Sequence, residues 1–551
     1  MLPGPLLPLA VLAVPLGMGL LAVLPRMRAH ALLMLPVAPL PALALAVFGA
    51  RGEADAADIL LGMRLGLDDR SALFLAASAF LWMLAGLFAT AYMRDTGKRE
   101  VFTGFWCLTL AGNLGVFLAQ DAITFYASFT AVSLPAYILI VHEATRAALR
   151  AGRIYMILAL IGETSFLAGL ILAGVQAESP MIPEVSAAIS TAPQGDLILG
   201  LLLVGLGIKA GLVPLHVWLP LAHPEAPTPA SAVLSGAIVK AGLFGMIQFF
   251  PTGTGMEGWS TLLVWAGLIG AYFGIFAGLT QTKVKAVLAY STVSQMGLMI
   301  AAVGVALAAN DPPHVFNLVA LYAAHHGLAK GALFLSTGVA HRTPRKRLWP
   351  LLAVVAVVSL SVAGFPFTGG GATKTALKSA FHGPEATLVA ASAAGTGLLL
   401  LRFWYLLRFQ AADAPGARAG LALSAPLYAA IAAALLLPWV LLGFAGLETA
   451  YILKPSNLLS GIWPLVAGAV IGGAAWALRP PRPPVPPGDL VVPVERAVRR
   501  AAHRHLRFAF PRPQIRPALR PERLERLLTR WDTAGLLLLA FALGLTPLLL
   551  L

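Results

Sequence analysis

Apolar runs of about 20 residues, separated by short polar or turn-forming stretches, recur along this chain from one end to the other. A helix rises 1.5 Å per residue, so each run is long enough to cross the ~30 Å hydrocarbon core of a bilayer. The pattern predicts sixteen spans, near 6–24, 31–50, 71–93, 101–119, 121–141, 153–175, 197–219, 228–250, 259–280, 286–308, 313–340, 349–380, 386–408, 421–446, 460–478 and 533–551. In the first, "LLPLAVLAVPLGMGLLAVLP", Arg26 and Arg28 follow the apolar stretch instead of preceding it, so it reads as a retained span and not as a secretory signal. The expected fold class is an all-α polytopic membrane protein.

Two spans carry breaks. Lys209 is followed by Gly211, Pro214 and Pro220, and Lys374 follows "GFPFTGGGATK", with Pro366 and three consecutive glycines. Proline removes a helix hydrogen bond and glycine weakens the turn around it, so the seventh and twelfth spans should unwind partway, each with a lysine at the break. Five spans separate them, so they run in opposite directions. Lys240 on the eighth span is matched by Arg402 on the thirteenth, and Glu163 on the sixth by His326 and Lys330 on the eleventh. That placement predicts an inverted repeat of spans four to eight and nine to thirteen, with discontinuous helices flanking an ion path.

The organisation follows from this: three N-terminal spans over 1–100, the first half-repeat over 101–250, the second over 259–408, and spans fourteen and fifteen over 421–478. An Arg- and Pro-rich segment then fills 479–532 ahead of a last span over 533–551.

Composition agrees, with 58% hydrophobic residues and 11% charged ones. If the N-terminus lies outside, the cytoplasmic loops hold 29 of the 39 Lys and Arg, the outer loops 4 and the spans 6. Such asymmetry predicts a multi-pass protein of the inner (plasma) membrane with both termini on the outer side. The net charge of +15 does not point to nucleic acid, because residues 479–530 alone hold 13 arginines against Asp489, Glu495, Glu522 and Glu525. That segment combines a stiff proline-rich linker with helically spaced apolar and basic residues, which suits anionic lipid headgroups or an acidic neighbouring subunit. The single cysteine, Cys107, excludes an intrachain disulfide and reads as a buried apolar residue.

A charge at mid-bilayer costs about 2.5 to 3.5 kcal/mol on insertion scales, so each one needs a partner, a wet cavity or a function. Glu163, Lys209, Lys240, Lys330, Lys374, Lys378 and Arg402 all fall within spans, with His216, His325 and His326 beside them. Glu163 and Lys209 reach similar depth from opposite surfaces and are expected to meet near the midplane. Burial disfavours the charged form of a lysine and a nearby carboxylate favours it, so such a pair across a movable gap can exchange a proton near neutral pH. His326 and Lys330 share a helix face at i, i+4, as do Lys374 and Lys378, and imidazole can pass protons between such stations. Lys378, near the outer boundary, is also placed to snorkel.

The stretches "GIKAGLVPLHVWLPLAHPEAPTPASAVLSGAIVKAG", "KVKAVLAYSTVSQMGLMI", "HHGLAKGALFLSTG" and "AGFPFTGGGATK" together resemble the antiporter-like subunits shared by respiratory complex I, multisubunit Mrp-type cation/proton antiporters and membrane-bound hydrogenases. The resemblance covers residues 60 to 410 and implies a core of about fourteen helices, which the last two spans extend at the C-terminal end. It implies that Lys209 is the central seventh-helix lysine, Lys240 the eighth-helix lysine, His326 and Lys330 the eleventh-helix pair and Lys374 the lysine of the exit half-channel, along a hydrated axis at mid-bilayer. There are departures. Where the family usually has a fifth-helix glutamate, "TFYASFTAVSLPAYILI" has Thr130, and "WLPLAH" places Leu221 where the family's motif has an acid. Glu163, one span later, is the remaining intramembrane carboxylate and is expected to substitute.

The leading expectation is a proton-translocating subunit, with or without Na⁺ coupling, inside a larger membrane assembly. No Gly-rich nucleotide loop, cysteine set or haem or flavin site is legible, so no cofactor and no catalysis by this chain alone are expected. Excess positive charge in the spans keeps a second reading open, an inorganic anion transporter of bicarbonate type working with a soluble partner. A third is a structural subunit whose relay has decayed.

Overall fold

The computed structural model describes residues 6–56, 62–411 and 419–478, together with Val485, Pro486 and Val492. The expected last span and nearly all of the Arg- and Pro-rich segment lie outside the described residues.

The chain folds into a helical bundle. Its long elements are α1 (Leu6–Leu21), α2 (Leu40–Phe48), α3 (Asp69–Tyr92), α4 (Arg99–Leu118), α5 (Ala122–Val141), α6 (Arg146–Gly174) and α7, which is split into α7a (Gly195–Ala210) and α7b (Trp218–Glu225). They continue as α8 (Thr228–Phe249), α9 (Glu257–Leu279), α10 (Val284–Leu307), α11 (Pro312–His341), a split α12 with α12a (Trp349–Ala363) and α12b (Gly369–Lys378), α13 (Gly383–Leu407), α14 (Leu421–Val440) and α15 (Pro455–Leu478). Eleven of the described helices are long and apolar enough to cross a membrane. The two broken helices stand where a lysine precedes a Gly- and Pro-containing stretch, as their residues predict.

Polar residues set the helix starts. Asp68 accepts the Ser71 N–H at 2.6 Å, Asp121 the Thr124 N–H at 2.7 Å, Thr145 the Ala148 N–H at 3.0 Å and Thr368 the Gly371 N–H at 3.1 Å. Each cap satisfies one of the orphan donors of a first turn.

Helices α8, α10 and α11 are buried along their whole apolar length, whereas α15 lies mostly on the outside. The charged sequence positions therefore concentrate in the centre of the bundle. Small residues permit the close approach there. A Cβ at Gly242 of α8 would lie 2.7 Å from the backbone nitrogen of Ala210 and 3.0 Å from Cβ of Lys209, so α7a and α8 touch backbone to backbone at the break.

One element departs from the all-helical expectation. Residues Gly52–Ala56 (β1) and Met63–Leu67 (β2) pair antiparallel, with Gly52 opposite Leu67. The second carboxylate oxygen of Asp121 accepts the Arg64 N–H at 3.0 Å, which ties the ribbon to the α4–α5 turn. Beyond α15, the Val485 carbonyl accepts from the Gln281 side chain at 3.0 Å, so the chain returns to the α9–α10 turn.

Candidate functional site

The break in α7 is built to present Lys209. Gly211 closes α7a in the left-handed region at φ +78°, a conformation that favours glycine. The Ile208 carbonyl near this end accepts the indole N–H of Trp218 in α7b at 2.7 Å, so the two half-helices are stitched across the gap. Lys209 then points into the core, its Nζ 3.5 Å from Oε1 of Glu163 on α6, with both side chains only 7% exposed. The ammonium also lies 4.4 Å from the centroid of the Phe129 ring, a favourable cation–π distance.

Glu163 is held from α5. Its Oε2 accepts the Thr130 hydroxyl at 2.8 Å, and its Oε1 accepts the Ser133 hydroxyl. The Ser133 carbonyl in turn accepts the Tyr155 hydroxyl at 2.8 Å. Beside the pair is a cavity of about 10 Å³, lined by Ser133, Tyr155, Glu163, Lys209 and Trp218 among others, which is room for roughly one water.

A second cluster joins α8, α10 and α11. A π-helical turn over Leu234–Ile238 widens α8 just ahead of Lys240. Lys240 donates to the Ser235 carbonyl at 2.7 Å and meets Nδ1 of His326 at 2.8 Å. One turn along α11, Lys330 donates to the Leu288 carbonyl at 3.1 Å and to the Ser291 hydroxyl on α10. The Ser235 and Thr292 hydroxyls are hydrogen-bonded at 2.6 Å, joining α8 to α10. Nε2 of His326 has no hydrogen-bond partner, a buried position that suits a water or a transient proton.

A third cluster surrounds the break in α12. Lys374 reaches back across it to the Ala363 carbonyl at 3.4 Å. Nε2 of His325 lies 3.1 Å from the Ser361 hydroxyl oxygen, which accepts the Gly370 N–H at 2.9 Å. Between these clusters Gln295 donates to the Thr396 hydroxyl at 3.1 Å and accepts from the Tyr322 hydroxyl.

Three sequence candidates stand apart. The Arg402 guanidinium donates to the Gln281 carbonyl at 3.1 and 3.3 Å, at the α9–α10 turn. Thr396, six residues earlier on α13, is the residue that reaches the polar cluster. Lys378 is half-buried at the last residue of α12b, where its long stem suits the membrane edge. His216 is buried in the α7 break, edge-on to Phe273 with ring centroids 5.0 Å apart, outside the Lys240–His326 cluster.

Sequence reading also passed over His223, because it falls in what looked like a loop. The residue is fully buried in α7b, its ring stacks on Phe334 with centroids 4.6 Å apart, and neither ring nitrogen has a hydrogen-bond partner. Lys285, Lys330 and Lys240 lie within electrostatic reach of it. Among the described residues no group of three or more His, Cys, Asp or Glu side chains gathers as metal ligands would.

A helical membrane bundle with two broken helices, each ending on a buried lysine or beginning just before one, defines a class of membrane subunit built around intramembrane charge. Residues 119–399 match the family described as NADH:quinone oxidoreductase/Mrp antiporter, transmembrane, and the chain belongs to that family. It is 32% identical over 290 residues to hydrogenase-4 component B of Escherichia coli (strain K12), covering 50% of this chain and 43% of that protein. To Na(+)/H(+) antiporter subunit A1 of Staphylococcus aureus (strain JH9) it is 29% identical over 357 residues, covering 60% of this chain and 44% of that one. The chain thus spans less than half the length of these relatives. Its fold is similar to a chain of the Mrp complex from Dietzia sp. DQ12-45-1b, with a TM-score of 0.70 and 22% identity over 84% of this chain and 100% of that one. A chain of respiratory complex I from Thermus thermophilus gives a TM-score of 0.68 and 24% identity over 83% and 99%.

Proposed function

We propose that this chain translocates protons across the inner (plasma) membrane as one subunit of a larger membrane assembly. The observation that carries the reading is the Glu163–Lys209 pair. A carboxylate and an ammonium 3.5 Å apart are at the outer limit of hydrogen-bond distance, they sit beside a one-water cavity, and they lie at a helix break. Small movements of the break would make or part the pair, and each change alters which group holds the proton.

From Lys209 the path continues through Lys240, His326 and Lys330 to Gln295, Tyr322, His325 and Lys374. The hydroxyls of Ser291, Ser235 and Thr292 lower the cost of charge along it. The half-repeats α4–α8 and α9–α13 are read as inverted copies that place one broken helix on each side of the axis. The names of its relatives and structural neighbours, a hydrogenase component, a sodium–proton antiporter subunit and chains of multisubunit complexes, fit this assignment. Electrons, if the assembly moves them, come from other subunits, and Na⁺ coupling is tested by the cation dependence of flux. The segment after residue 479 is assigned to docking on headgroups or a neighbour.

An anion carrier would need a larger site. The 10 Å³ space beside Lys209 suits a water better than an ion of bicarbonate size. The deciding experiment is proton flux in vesicles carrying the whole assembly with Lys209→Ala. Loss of flux with normal assembly supports the relay, whereas unchanged flux establishes the chain as a structural subunit.

A further inference from the structure

A second cavity, with different chemistry, lies between α2, α3, α11 and α14. Its volume is about 750 Å³, and of its lining side chains only those of Arg51, Asp69 and His325 are ionisable; the rest are alkyl or aromatic. Val47, Leu436 and Leu437 on its walls are exposed, so it opens sideways on the flank of the bundle where acyl chains run. Water has few partners in such a trough, whereas hydrocarbon fits it.

The polar groups sit at opposite ends. At the mouth, Nε of Arg51 donates to Asp69 at 2.8 Å, and the neighbouring Asp68 is exposed as the cap of α3. Arg70 bonds Asn317 of α11 at 3.2 Å, so the starts of α3 and α11 share one membrane face. His325 lies thirteen residues beyond Pro312, which at 1.5 Å per residue is about 20 Å below that face. One leaflet's share of a ~30 Å core is about 15 Å, so the trough runs from headgroup level to roughly the midplane.

We propose that this cavity binds one phospholipid with an ethanolamine headgroup, from the leaflet on the Arg51 side. Its phosphate meets Arg51, its ammonium meets Asp69 and Asp68, and one acyl chain fills the trough down to His325. Asp68 and Asp69 against Arg51 and Arg70 leave this mouth with no net charge, which matches a zwitterion that presents both signs better than a headgroup of net negative charge. The bound chain seals the His325 ring from the bilayer side, so the buried file stays closed to stray water at this flank.

The test is mass spectrometry of the full chain in its assembly, released from nanodiscs holding equal mole fractions of phosphatidylethanolamine and phosphatidylglycerol with identical acyl chains. Wild type should retain one phosphatidylethanolamine, favoured roughly three- to five-fold, the size that one exposed ion pair supplies. Asp69→Asn, a surface change that leaves the bundle intact, should shift the preference toward phosphatidylglycerol. Ala77→Phe with Ala433→Phe should fill the trough and remove the retained lipid. Equal retention of both headgroups by wild type, or retention unaffected by filling the trough, overturns the proposal. So does a lipid-free assembly in which residue 433 cross-links to a neighbouring subunit, which would make the occupant a protein. Because the readout is bound mass and not flux, the result stands or falls separately from the proton relay.

Discussion

Thr130 of α5 donates its hydroxyl to Oε2 of Glu163 on α6 at 2.8 Å, so the residue at which the family resemblance leads one to expect a glutamate touches the carboxylate that faces Lys209. Two adjacent helices can supply the same point in space, because side chains of glutamate length span the gap between packed axes.

This relationship predicts a rescue. Glu163→Gln removes the partner of a buried ammonium, and such a loss is worth about 3–5 kcal/mol, so proton flux in inverted vesicles should fall to background. Thr130→Glu added to Glu163→Gln returns a carboxylate to the same place and should restore part of the flux. A double variant as inactive as the single one would show that the α6 position itself is needed.

His326 meets Lys240 through Nδ1 and stands one helical turn from Lys330, and its shape and its protons can be separated. His326→Gln keeps a polar group near Lys240 and should preserve assembly and thermal stability while flux drops by roughly tenfold or more, the usual scale for removing a positioned proton-transfer group. His326→Ala should also lower the melting temperature, because Lys240 keeps only the Ser235 carbonyl. Normal flux in the glutamine variant would remove the imidazole from the path.

His223 carries two unpartnered ring nitrogens in full burial, next to the face where Lys283 pairs with Glu225 at 2.8 Å. Water joining these groups to Lys330 would form an intake branch. His223→Phe should keep the stack on Phe334 and slow flux severalfold, while His223→Asn should retain more of it. Equal flux in the phenylalanine variant and wild type would assign His223 to packing alone.

Gly242 sets the contact between α7a and α8. A side chain there overlaps the Ala210 backbone, so Gly242→Val should destabilise by about 1–3 kcal/mol, seen as a fall of a few degrees in the melting temperature of the detergent-solubilised protein. An unchanged melting temperature would mean that α7a and α8 move apart at little cost.

What the amino-acid order decided alone is considerable: the bundle, the two breaks, the lysines beside them and the family. These are local or additive properties. A bilayer forces every backbone amide into a helix, apolar length marks each span, and a Pro–Gly stretch breaks a helix wherever it falls. The meeting of Glu163 with Lys209 was legible too, since depth counts residues from a known surface.

Pairing across helices needed the tertiary structure. Gln295, Tyr322, Thr396, Ser235, Thr292 and Ser291 are uncharged polar residues in apolar helices, and nothing in their spacing tells which face turns inward or which neighbour it meets. The same reason explains Arg402, whose depth along α13 matched that of a station but whose rotation carries it to the Gln281 carbonyl. His223 was hidden by the turn around it, because a half-helix of eight residues is too short for periodicity to reveal. Depth is a one-dimensional coordinate that the chain records. Rotation and contact are set only when helices pack, because packing alone selects which side chains share the dry interior.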